Sequence, residues 1–332
     1  MTSVRKEIAA LSPAWSKVSL GVMTFGAPTD GRATQQITDQ RIADRMIRMA
    51  RDGGVTLFDV ADAYQEGSAE EMLGKALAGS REEVLIASKV GNKFDDDPSH
   101  RGLRPEWIRH SIEGTLKRLD TDYVDVYYFH VPDYDTPVEE SLGAMAELVE
   151  EGKVRVPAAS NYASWQMAQM DCINEKHGWT HLGAAQNLYS LVARRLEDEF
   201  IPYSKDTGVF NVIYNPLAGG LLTGKHKSDV IPEQGRFARA NYRDRYWNEQ
   251  QFKAVEEYRS VAEEAGLSLL ELALRWVLSK DGVGSVLLGA SNEEQLRANL
   301  DACAGGPLPA DVLERCDDVW PVVGGTAPRY NR

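Results

Sequence analysis

A carboxylate and a phenol stand five residues apart in the stretch Leu57-Phe58-Asp59-Val60-Ala61-Asp62-Ala63-Tyr64. The stretch opens as a short apolar strand and turns polar within two residues. A second apolar run, Val84-Leu85-Ile86-Ala87-Ser88-Lys89, ends on lysine. A third, Tyr123-Val124-Asp125-Val126-Tyr127-Tyr128-Phe129-His130, ends on histidine. A phenol has a pKa of about 10 and is a poor acid at neutral pH. A neighbouring ammonium favours the phenolate, so Lys89 is expected to lower the pKa of Tyr64. Asp59 can pair with Lys89 and compensate its burial. His130 can donate a hydrogen bond to a carbonyl oxygen or share a proton with Tyr64. Together Asp59, Tyr64, Lys89 and His130 suit proton donation to a carbonyl that is being reduced. A Schiff-base aldolase built on Lys89 is an alternative, and it leaves Tyr64 without a role. No His-x-His pair or carboxylate cluster has metal-ligand spacing, so no metal is expected.

Reduction needs a hydride donor, and the second half of the chain carries residues suited to one. Ser160-Asn161 and Gln186 can hydrogen-bond a carboxamide. Tyr214 can stack flat on a nicotinamide ring. The run Asn215-Pro216-Leu217-Ala218-Gly219-Gly220-Leu221-Leu222-Thr223-Gly224-Lys225 has glycines for close backbone approach and a lysine for a pyrophosphate. Arg236 adds a second cation. Gly289-Ala290-Ser291 precedes a helix whose N-terminal amides favour an anion. Gln295 and Asn299 follow on one face of that helix. A 2′-phosphate is expected near Ser291, Gln295 and Arg297, which favours NADP(H) over NAD(H).

These residues need a scaffold that brings strand ends together. Strand-like and helix-like stretches alternate throughout the chain. Strands are expected at 18–22, 57–59, 84–89, 123–130, 153–159, 182–186, 209–214 and 283–288. Helices are expected at 41–51, 70–78, 104–119, 138–150, 165–176, 196–206, 248–265, 269–279 and 293–299. Apolar strands separated by helices imply a parallel sheet covered by helices. Eight such units imply an α/β fold of the closed (β/α)8 type, a TIM barrel, with its site at the C-terminal rim. A doubly wound open sheet is the alternative, but no Gly-x-Gly-x-x-Gly follows the first strand. No linker divides the chain, so residues 1–332 are expected to form one domain. It has an insertion around 217–247, expected to cover a cofactor, and a C-terminal tail at 318–332.

Composition narrows the function classes. The 332 residues are 43% hydrophobic and 26% charged, ordinary values for a globular protein. No apolar run approaches the roughly 20 residues that span a bilayer. The start, MTSVRKEIAALSPAW, reads as a short polar segment rather than a signal peptide. Three scattered cysteines, Cys172, Cys303 and Cys316, suit a reduced, cytoplasmic setting. A net charge of −13 argues against nucleic acid as a partner. It is compatible with one small anion in a locally basic pocket. The expected partner is a small carbonyl substrate, with no membrane; a homo-oligomer is left open.

With these motifs in place the chain resembles an aldo-keto reductase over nearly its whole length. Asp59-Val-Ala-Asp-Ala-Tyr64, Lys89 and His130 match that superfamily's tetrad in order and strand position. Several segments resemble the aflatoxin-aldehyde reductase family: His130-Val-Pro-Asp-Tyr-Asp-Thr-Pro, Ser160-Asn-Tyr-Ala-Ser-Trp, Tyr214 to Lys225, and Tyr242-Arg-Asp-Arg-Tyr-Trp247. Leu287-Leu-Gly-Ala-Ser-Asn also resembles the potassium-channel β-subunits. The resemblance implies an NADP(H)-dependent carbonyl reductase, with Thr24 and Asp59 also at the cofactor and Phe25, Tyr64, His130 and Arg332 at the substrate. A redox-sensing subunit with slow turnover is the alternative it brings. The loop after the first strand lacks the arginine that aflatoxin-aldehyde reductases carry nearby, which argues against acidic aldehydes. Where relatives read Arg-Tyr-Ile-Gly-Val-Ser-Asn, this chain reads Arg155-Val-Pro-Ala-Ala-Ser160-Asn161. Pro157 is therefore expected to make the fifth strand irregular.

Overall fold

Eight short strands rich in apolar residues are buried on both faces, as in a parallel sheet covered by helices. The computed structural model describes residues 5–27 and 36–325. Its strands are β1 (Val18–Gly21), β2 (Leu57–Asp59), β3 (Leu85–Val90), β4 (Val124–Phe129), β5 (Val154–Ser160), β6 (Ala184–Leu188), β7 (Phe210–Tyr214) and β8 (Ser285–Gly289). Each pairs in parallel with the next, and β8 pairs with β1. The result is a closed (β/α)8 barrel.

Strand side chains alternate between the two faces. Leu57, Leu85, Ala87, Val126, Tyr128, Val156, Ala158 and Ala184 fill the barrel interior. Phe58, Ile86, Tyr127 and Phe129, of the opposite parity, pack outward against the helices. Each buried leucine, valine, isoleucine or phenylalanine among them contributes roughly 1.5–3 kcal/mol.

The helices on the wall are α2 (Gln40–Asp52), α3 (Ser68–Ala76), α4 (Pro105–Leu119), α5 (Val138–Glu150), α6 (Ser164–His177), α7 (Phe200–Thr207), α10 (Leu269–Ser279) and α11 (Glu293–Ala304). A short α1 (Lys6–Ala9) precedes them. α8 (Ala240–Tyr246) and α9 (Glu249–Glu264) lie between β7 and α10, and α12 (Ala310–Val319) and α13 (Pro321–Gly324) follow α11. Local chemistry sets several starts. Asp39 caps α2, Asn292 caps α11, and Ser268 with Glu271 forms a capping box on α10. Among the described residues no helix is long and apolar enough to cross a membrane.

Four features depart from expectation. The helix expected at 196–206 is a 3-10 turn, Arg195–Glu197, followed by α7. Glu197 is drawn out of a helix by Tyr189, whose hydroxyl it accepts at 2.5 Å, and by Arg194. β5 is regular, with one register running along β4 from Val154 to Ala159. The Pro157 carbonyl accepts from Gly183, so its nitrogen faces the same side, just before β6 begins. No ladder donor is missed there. The N-terminal segment is not merely polar: Ile8 and Leu11 are buried with the barrel-interior residues. Arg5 holds the segment in place by donating to both oxygens of Asp171, at 3.0 and 2.7 Å, and to Leu182 O at 2.6 Å. Finally, the chain beyond 304 adds helices that the periodicity did not indicate.

Residues 217–247 fold into a strap across the rim. It contains 3-10 turns Ala218–Thr223 and Arg236–Ala238 and then α8. Phe237 and Tyr246 anchor it, buried together with Ala254, Tyr258 and Trp276.

Candidate active site

The two-residue period of the strands sets the site. Asp59 continues the inner face of Leu57, Lys89 that of Leu85 and Ala87, and His130 that of Val126 and Tyr128. Ser160 and Gln186 continue the inner faces of Ala158 and Ala184 in the same way. Side chains that fill the barrel lower down thus give way to polar groups at its C-terminal end, where active sites of this architecture lie.

Lys89 is fully buried and donates to Asp59 Oδ1 and to Val60 O, the latter at 2.8 Å. Gln186 Nε2 donates to Asp59 Oδ2 at 2.7 Å. Both oxygens of the carboxylate are therefore engaged. Burial works against the Lys89 ammonium, yet the Asp59 carboxylate beside it raises its pKa above the ordinary lysine value. Burial pushes Asp59 up, against Lys89 and Gln186.

Tyr64 lies in the turn between β2 and α3. Lys89 Nζ sits 5.1 Å from the centre of its ring. The His130 ring meets it edge-on, with centroids 5.8 Å apart. Expectation and structure differ on its acidity. Burial is the largest influence and raises the phenol pKa; Lys89 pulls it down without reversing the shift. Tyr64 therefore keeps its proton at neutral pH, as a donor must. Burial, and then Lys89, hold His130 well below the ordinary histidine value, so the ring is neutral. Its Nδ1 is buried and has no hydrogen-bond partner among the described residues.

The residues expected at a cofactor line the rim beyond this pair. Ser160 Oγ donates to Gln186 O at 2.9 Å. Asn161, at φ 66°, donates to His130 O at 2.9 Å and accepts from the Tyr214 hydroxyl at 2.7 Å. Asn215 ties the strap down: its Nδ2 donates to the Tyr246 hydroxyl at 2.8 Å and its Oδ1 accepts from Gly219 N at 2.7 Å. Gly219 and Gly220 have φ of 71° and 101°, a left-handed backbone that favours glycine. A Cβ on Gly219 would stand 2.9 Å from the Tyr242 ring. Pro216 and Leu217 lead into this turn. Ala218 and Leu221 have their side chains in the core, so only their backbone faces the rim. Lys225 is exposed.

Arg236 reaches across the strap, donating to the Tyr242 hydroxyl at 2.5 Å and approaching Met23 Sδ at 3.9 Å. Thr24 Oγ1 donates to Ala290 O at 2.7 Å, joining the ends of β1 and β8. Ser291 N and Oγ both donate to Gln295 Oε1, at 3.1 and 2.9 Å. Asn299 donates to Gly289 O at 3.2 Å.

Two residues stand away from their expected places. Arg297 lines the groove between α2 and α11, with Arg45 and Arg48. Gln295 and Asn299 share a helix face at i and i+4, and residue 297 lies about 200° from 295 at 3.6 residues per turn. Phe25 is 1% exposed and belongs to the core rather than a substrate pocket. Its backbone bridges to Ile37, which turns the ring inward. Arg332 lies outside the described residues.

Other contributors lie outside the expected site residues. Gln65, next to Tyr64, donates to Met23 O at 2.5 Å and to Phe25 O at 3.1 Å, fixing the first loop. Tyr242 and Tyr246 hold the strap; the aromatic and arginine-rich run 242–247 was their only signal. The Gln186 bond to Asp59 has none.

Comparison with known proteins agrees with this geometry. The model of the Aldo/keto reductase family matches residues 17–321. Human aflatoxin B1 aldehyde reductase member 2 is 34% identical over 94% of this chain and 89% of its own length. Human aldo-keto reductase family 7 member A3 is 34% identical over 97% of this chain and 99% of its own length. A probable voltage-gated potassium channel subunit beta from Oryza sativa subsp. japonica is 34% identical over 85% of this chain and 88% of its own length. On its eight-stranded barrel, its rim residues and these matches, the chain belongs to the aldo/keto reductase family.

Proposed function

We propose that this chain reduces an aldehyde or ketone with NADPH, Tyr64 giving the proton. The observation that carries the reading is the buried Lys89–Asp59 pair facing the Tyr64 ring. Lys89, held charged by Asp59 at the barrel's rim, faces a half-buried phenol that can give up a proton. When bound, the nicotinamide would supply a hydride. Ser160, Asn161, Gln186 and Tyr214 would hold it, with the strap's glycine turn, Arg236 and the Ser291–Gln295 corner along the rest of the cofactor.

The chain's own residues do the remainder. Tyr64 protonates the carbonyl oxygen as negative charge develops there. Lys89 stabilises the phenolate left behind, and Asp59 with Gln186 keeps Lys89 in place. Neutral His130 donates a hydrogen bond to the same oxygen and orients it.

Tyr64→Phe tests the reading. A catalytic proton donor typically contributes about 10²–10⁴-fold. Turnover of simple aldehydes should fall by that factor while NADPH still quenches tryptophan fluorescence; near-normal turnover defeats the assignment. The similarity to a channel β-subunit favours a second reading, an NADP(H)-holding redox subunit. Turnover slower than about one per minute with every aldehyde and ketone tried would support it instead.

A further inference from the structure

The turn that carries Tyr64 is held from behind by a side chain the reaction does not touch. Asp62 lies two residues before Tyr64 and is fully buried. Its carboxyl points into the layer between the barrel wall and helices α3 and α4. Oδ2 accepts from Ser111 Oγ of α4 at 2.7 Å, and Oδ1 accepts from the N–H of Ala63 at 2.6 Å. Tyr127 of β4 donates in turn to Ser111 Oγ at 3.2 Å. The Asp62 N–H donates to Lys89 O at 3.3 Å, joining the same turn to β3.

A second buried carboxylate occupies this layer. Glu70 of α3 accepts from Ser88 Oγ at 2.6 Å and from Arg118 Nε at 2.7 Å. Two carboxylates thus share one guanidinium, and that guanidinium is bonded to Glu70. A buried carboxyl bonded only to neutral groups is costly. Packing alone does not call for it, since an apolar residue would fill the space. What Asp62 does that an apolar residue cannot is bond Ala63, the neighbour of Tyr64, and α4 at once.

We propose that Asp62 is a positioning residue for Tyr64: its carboxyl clamps Ala63 and Ser111 and so fixes the turn that presents the phenol beside Lys89 and His130. The proposal rests on the reading of Tyr64 as proton donor. The clamp is sensitive to charge. As a carboxylate, Asp62 accepts from both donors at once. Once protonated, it has a hydrogen to donate, and the Ser111–Tyr127 chain must reverse to receive it. The groups facing it are Glu70 from α3, Ser111 and Arg118 from α4, and Tyr127 from β4. Burial and Glu70 raise its pKa to about 7, against Ser111, the Ala63 N–H and Arg118. The turn is best clamped above that pH.

The test compares Asp62→Asn, Asp62→Ala and Tyr64→Phe in the full chain, reducing a simple aromatic aldehyde with NADPH. Far-ultraviolet circular dichroism and NADPH quenching of fluorescence select folded variants. Asparagine fills the same volume, does not titrate, and donates where the carboxylate accepts. The ratio of Asp62→Asn to wild-type kcat should fall about threefold or more between pH 6 and pH 8, with KM for NADPH unchanged. Ionisations of the Asp59, Tyr64, Lys89 and His130 set cancel in that ratio. Asp62→Ala should lose about tenfold or more in kcat at pH 8. A flat ratio, or a folded alanine variant with wild-type kcat, overturns the clamp. Normal turnover by Tyr64→Phe would overturn both the donor assignment and the clamp. An inactive Tyr64→Phe with a flat ratio would overturn the clamp alone.

Discussion

Gln186 and Asp59 meet across the full width of the barrel. β6 and β2 are four strands apart in either direction round the wall, and the amide donates to Asp59 Oδ2 at 2.7 Å. Removing that donor leaves one oxygen of a buried carboxylate unsatisfied, at about 1–3 kcal/mol. Urea unfolding of Gln186→Leu should show a loss of that size. An unchanged midpoint would mean that Gln186 does not hold Asp59.

Lys89 and Asp59 form the most deeply buried ion pair of the site. Lys89→Met strands the Asp59 charge and should cost about 3–5 kcal/mol. The double change Lys89→Met with Asp59→Leu removes both charges and should recover most of that stability. A double variant no more stable than Lys89→Met would show that packing, not charge, sets the cost.

His130 is held well below the ordinary histidine value by burial and by Lys89. The folded chain therefore binds fewer protons at this ring than the unfolded chain does. Stability is then greatest above about pH 6.5, the unfolded value, and declines as the pH falls below it. In His130→Gln the decline from about pH 7 to pH 5 should be shallower. Parallel stability curves for the two proteins would contradict this account.

Gly74 lets α3 approach α4. A methyl group there would stand 2.7 Å from the Leu119 carbonyl oxygen, which is backbone and cannot swing aside. Gly74→Ala should cost about 1–3 kcal/mol, because the helices must separate. Calorimetry showing an unchanged or higher Tm would refute the close packing.

Most of the site was readable because a strand's two-residue period and its end point are written in the chain. Asp59, Lys89 and His130 each close an apolar run on its inner face, so their convergence follows from the barrel. Arg297 shows the opposite case. Its charge suggested a phosphate contact, but direction on a helix depends on the 3.6-residue turn, which sends it toward α2. The direction of Phe25 is not legible, because loop geometry, here a bridge to Ile37, decides which way a ring turns. The acidity of Tyr64 is not legible in the sequence, because proximity of charge shows in a motif and desolvation does not. The Gln186 bond to Asp59 joins residues 127 positions apart and leaves no local trace.

The strap carries a further consequence through its charge. Residues 217–247 hold six lysines and arginines against three acidic residues, in a chain whose net charge is −13. That local surplus of positive charge favours the approach of an anion to this segment, against the negative charge of the chain as a whole. If the anion is the proposed cofactor, its capture should be a steered encounter, slowed by added salt. On the proposed reading, the strap above the rim would also be the antenna for the cofactor's phosphates.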